Sequence, residues 1–122
     1  MAEEPVNAFN TVTGQSNQVN NPVFTIPAGK RLVVDYMSAK AEVPAGESVS
    51  GIHINLPVVH FFLVLAQGAD IFGKSVFTTA QDLRIALGPF ANPRDVVVRM
   101  ERNKFGTPAI LGVTLAGTLV DP

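Results

Sequence analysis

From Pro22 onward the chain is a succession of short runs in which apolar and polar residues alternate, each ended by Gly, Pro, Asn or Asp. Side chains that alternate at period two put one face of an extended strand in a core and the other in water. No long stretch repeats its apolar residues at helical spacing. The pattern predicts an all-β domain, an antiparallel β-sandwich of about eight strands with jelly-roll or other Greek-key topology.

The individual runs set the expected strands. Val23–Ile26 leads into Pro27-Ala28-Gly29-Lys30, and the run from Arg31 to Val43 leads into Pro44-Ala45-Gly46-Glu47. Both junctions carry the Pro and Gly chemistry of a tight turn. Between them, strict alternation would put Leu32, Val34 and Tyr36 on one face and Val33, Asp35 and Met37 on the other. Ile52, Ile54 and Leu56 share a face, Pro57 interrupts pairing because it lacks an amide hydrogen, and a strand is expected over Val58–Ala66. Gln67–Lys74 reads as a loop. Further strands are expected near Ser75–Thr79, at Leu83–Leu87, around Val96, Val98 and Met100, and over Ala109–Val120 with Leu111, Val113, Leu115 and Leu119 inward. Residues 1–21, rich in Asn and Gln, read as a polar N-terminal arm with at most one short strand near Phe9–Thr13, so the sandwich is expected over residues 22–122.

Two segments resemble a known group. Phe24-Thr25-Ile26-Pro27-Ala28-Gly29-Lys30-Arg31-Leu32-Val33-Val34 is similar to the F-T-V-P-A-G-K-R-L-V-I opening of small uncharacterised bacterial proteins, often exported, and Leu115-Ala116-Gly117-Thr118-Leu119-Val120-Asp121 is similar to their S-G-Y-L-V-D ending. Ala116 and Thr118 stand where that ending has Ser and Tyr. The resemblance implies a β-sandwich and an extracytoplasmic location, periplasmic or secreted. It implies no catalytic residues.

Composition narrows the chemistry. Nine basic and ten acidic residues leave a formal charge of −1, which argues against nucleic acid as a partner. The chain has no Cys, which removes thiolate ligands and thiol catalysis, and its longest apolar stretch, Leu56–Ala66, is about half of what a membrane-spanning helix requires. No Gly-x-Ser-x-Gly elbow or phosphate-binding glycine pattern is present. No enzyme activity and no cofactor are expected. His53 and His60 are the metal candidates, with Asp35 and Asp82 as possible completing carboxylates, but Asn55 stands where a His-x-His pair needs its second ring, and no metal site is expected. Arg94, Arg99, Arg102 and Lys104 collect near the last hairpin, interleaved with Asp95 and Glu101, and read as a neutralised, solvated face.

Two faces stand out. The expected strand Val58–Ala66 is apolar on both sides, which marks Val58, His60, Phe62 and Val64 as a surface for self-association into homo-oligomers. On the last strand, Ile110, Gly112, Thr114, Ala116, Thr118 and Val120 form a small, weakly polar face that another surface can approach closely. The expected role is therefore a noncatalytic sandwich acting in self-assembly or as a structural protein. The alternatives are a module binding carbohydrate or another ligand, and a virion jelly-roll protein. A sugar-binding module would show an exposed Phe or Tyr in a groove with Asn, Asp or Arg nearby; the chain has no Trp, one Tyr and eight Phe to build it.

Overall fold

The computed structural model describes residues 3–56, 59–63, 66–67 and 73–121, with backbone alone for 56, 59–63 and 66–67. Its strands are β1 (Glu4–Gly14), β2 (Gln18–Ile26), β3 (Arg31–Pro44), β4 (Val49–Leu56), β5 (Val59–Leu63), β6 (Ala66–Gln67), β7 (Lys74–Leu87), β8 (Arg94–Arg102) and β9 (Ala109–Val120). They form a five-stranded sheet, β1-β9-β3-β7-β6, and a four-stranded sheet, β2-β8-β4-β5. All pairings are antiparallel, and β1 pairs with β9, β2 with β8, β3 with β7 and β4 with β5. Nested pairs dealt alternately to two sheets are the jelly-roll form of the Greek-key sandwich.

The alternation rule accounts for the core. Val96, Val98 and Met100 of β8, and Leu111, Val113 and Leu115 of β9, are fully buried as their parity requires, and Ile52 and Ile54 meet them from β4. The two Pro-Ala-Gly junctions are turns closed by Lys30 N to Pro27 O (3.2 Å) and Glu47 N to Pro44 O (3.1 Å). Gly29 and Gly46 sit at φ of 76° and 88°, the left-handed geometry that a type II turn demands at its third residue.

Three expectations need correction. First, β3 does not keep one phase. Its register shifts between Val34 and Tyr36, Asp35 being the extra residue against β9. This bulge exchanges the faces, so Met37 is fully buried and Tyr36 is 36% exposed. Second, the polar tract is not an arm, because β1 and β2 belong to the two sheets along most of its length. Val6 and Val19 face the core, and the amides that argued for turns satisfy one another. Asn10 Nδ2 donates to Asn21 Oδ1 (2.9 Å), while the fully buried Asn21 donates to the carbonyls of Asn10 (2.8 Å) and Leu111 (2.9 Å). Third, the two short strands expected over Ser75–Leu87 are one continuous strand, β7.

The two segments that carry the family resemblance lie side by side, since Arg31 pairs with Val120. Lys30 Nζ thereby reaches Asp121 Oδ1 at 2.7 Å. That hydrogen bond, and then the attraction of the carboxylate, raise the Lys30 ammonium above its ordinary 10.5. A cation whose folded value is raised stabilises the fold fully below its unfolded value and ceases to do so as pH climbs through the folded one. Thermal midpoints of the wild type and Lys30→Met are therefore expected to differ at pH 8 and to converge above pH 10.5. A gap that stays constant across this range would show that the ion pair contributes nothing.

Candidate functional site

The outer face of the five-stranded sheet holds an open trough of about 520 Å³. Registration across β1, β9, β3 and β7 builds it from cross-strand rows. One row is Phe9, Thr114, Ser38 and Ala80, and the next is Thr11, Gly112, Lys40 and Thr78. Ile110 and Glu42 continue beyond them. Gly112, Thr114 and Ser38 on the central strands leave a depression, and Phe9, 66% exposed on β1, rises along its side. The row on the other flank is Asn7, Ala116, Tyr36 and Asp82, which puts the half-exposed Tyr36 beside the trough.

The polar groups suit a neutral ligand. Lys40 and Glu42, the charged residues of the described lining, pair at 3.2 Å and offset each other, while Lys74 Nζ, outside the lining, lies 3.9 Å from Glu42 Oε2. Among the described residues of the lining, the other functional groups are the hydroxyls of Thr11, Ser38, Thr78 and Thr114, with that of the buried Thr79 beneath them, each able to donate and to accept. Four neighbouring strands give the trough a width of about 14 Å, at an inter-strand spacing of about 4.8 Å.

Gly112 keeps the trough open. An added Cβ there meets only Thr11 Oγ1, at 3.5 Å, an ordinary contact. Gly117 differs sharply, since a Cβ there would lie 2.3 Å from the Val33 carbonyl oxygen. One glycine of β9 is dictated by close backbone approach; the other is not required by packing.

The sequence-based candidates are distributed differently. His53 is 4% exposed on β4, at the register position opposite Phe62 and Arg99, and His60 stands opposite Asn55. The hairpin thus sets the two histidines at diagonal positions on adjacent strands. Asp35 and Asp82 belong to the other sheet, so the structure does not bring them to His53. Among the described residues no three His, Cys, Asp or Glu gather as a metal-binding group. The expected self-association face of Val58, His60, Phe62 and Val64 lies outside the residues whose side chains are described.

The basic group at the last hairpin is not a uniformly solvated face. Arg102 is buried, with its side chain fully shielded, and pairs with Glu47 at 3.1 Å. It also donates to Ser16 O (3.0 Å), Thr107 Oγ1 (3.0 Å) and Thr107 O. The signal was present in the alternation: Val96, Val98 and Met100 point inward, and Arg102 is the next residue of the same parity.

Comparison with known protein families found no matching family model, and no curated protein matches the chain. Among the described residues, no helix is long and apolar enough to cross a membrane.

Proposed function

We propose that this chain is a noncatalytic binding module that holds an elongated carbohydrate in the trough of its five-stranded sheet. The observation that carries the reading is the exposed Phe9 standing over rows of small hydroxylated side chains, with Asn7, Tyr36 and Asp82 in the adjoining row. A sugar offers an apolar C–H face to an aromatic ring and a rim of hydroxyls to groups that donate and accept. The internal pairing of Lys40 with Glu42 favours a neutral saccharide over a charged one. Resemblance to small exported sandwich proteins fits an extracytoplasmic module that meets glycans outside the cytoplasm.

A glycan array followed by titration of the retained saccharide tests this function. Phe9→Ala is expected to weaken binding about tenfold, the loss of one stacking contact. Gly112→Val fills the trough from its floor and is expected to abolish binding while leaving the thermal midpoint unchanged. Failure of the wild type to retain any glycan would overturn the reading, as would a retained glycan that Gly112→Val binds equally well.

A further inference from the structure

The opposite face of the sandwich carries two guanidinium groups that the trough does not use. Arg94 and Arg99 line a second depression, of about 590 Å³, on the outer side of the four-stranded sheet, with Asn20, Thr25, Asn55 and Asp95. Each arginine is held by a neutral neighbour. Arg99 donates Nε to Asn20 Oδ1 at 2.8 Å, and the Arg94 guanidinium lies 4.9 Å from the centre of the Phe90 ring. Among the described residues neither forms an ion pair. Anchoring through Nε leaves the two terminal amino groups of Arg99 to point elsewhere, and stacking fixes a guanidinium plane while leaving its N–H edge open.

Among the described residues, the acidic groups of β8 already hold partners. Asp95 accepts a hydrogen bond from Thr25 Oγ1 at 2.5 Å, and Glu101, further along β8, accepts one from Gln18 Nε2 at 3.2 Å. Among the described residues of the depression two cations therefore face one carboxylate, and the other polar groups are the Asn20 and Asn55 amides and the Thr25 hydroxyl. From this arrangement we propose a second binding site, for an oxyanion held between Arg94 and Arg99 with the Asn55 amide as an additional donor. The ligand class is a small molecule bearing a carboxylate, or a sulfate or phosphate group. The site is independent of the carbohydrate trough, from which the whole thickness of the sandwich separates it.

The test is an NMR titration of the intact chain with sodium sulfate, sodium phosphate and sodium glucuronate, each at constant ionic strength so that general screening does not change. Saturable shifts of the Arg94 and Arg99 Nε–H signals and of the Asn20 and Asn55 side-chain amides are expected. Their dependence on the three salts separates a tetrahedral anion from a carboxylate. Arg94→Gln and Arg99→Gln should each weaken binding about tenfold, and Asp95→Asn should strengthen it about threefold. All three substitutions are on the surface, so unchanged thermal midpoints will show that the fold is intact. Shifts that never saturate with any of the three salts, or that persist in the Arg94→Gln/Arg99→Gln double variant, would overturn the proposal.

Discussion

Arg102→Ala is expected to destabilise the fold by about 3–5 kcal/mol, the usual result of removing one partner from a buried ion pair. That is a large share of the roughly 5–15 kcal/mol that holds a domain of this kind together. The substitution leaves the Glu47 carboxylate, only 5% exposed, with Thr107 as its remaining partner in this cluster, through contacts of 3.1 and 2.9 Å. It also removes the donors to the Ser16 and Thr107 carbonyls. Those residues lie in three separate connections, β1–β2, β3–β4 and β8–β9, so one side chain fastens one end of the sandwich. Urea denaturation should show a lower midpoint with an unchanged slope. Replacing the pair together, Arg102→Met with Glu47→Leu, should cost much less than the sum of the single changes, because no charge is then left buried alone. An Arg102→Ala variant within about 1 kcal/mol of the wild type would refute this account.

Gly117→Ala is the second large effect, about 3 kcal/mol at the upper end of the usual overpacking range. The methyl group would fall 2.3 Å from the Val33 carbonyl oxygen and 3.2 Å from both the Val33 carbonyl carbon and Val34 Cα. All three are backbone atoms, so no rotamer change relieves the clash and β3 must move away from β9. The contact arises next to the bulge at Asp35, where Val34 pairs with Gly117 and Tyr36 with Ala116. Gly112→Ala in the same strand is the matched control, expected within about 0.5 kcal/mol of the wild type, because its nearest neighbour is a hydroxyl at 3.5 Å. Equal midpoints for the two variants would remove the close approach as an explanation.

The sandwich was legible wherever alternation ran uninterrupted. Leu111, Val113, Leu115 and Leu119 are buried as their spacing requires, and the small face on the other side of β9 became the floor of the trough. The reading failed where pairing between distant strands decides the outcome. The bulge at Asp35 has no Gly or Pro to announce it, yet it reverses Tyr36 and Met37 and brings Ser38 and Lys40 to the outer face. Asn10 and Asn21 individually favour turns, and only the approach of β1 to β2 turns them into mutual partners. Phe9 shows nothing special in sequence, because its place beside the trough comes from Thr114, Ser38 and Ala80 lying across from it on three other strands.

The Asn10–Asn21 pair also bears on how the molecule coexists with its own kind. β1 and β2 are the end strands of their sheets on the same flank, and β1 carries no charged residue from Pro5 to Gly14. Such a border ordinarily invites a stray strand to dock and propagate the sheet. Here the Asn21 amide already occupies the Asn10 carbonyl, and Asn10 Nδ2 reaches the Pro22 carbonyl at 3.4 Å, so at this position the flank is tied by its own side chains. A strand docking at this point of the border would have to displace those hydrogen bonds, so the two asparagines oppose extension of the sheet there.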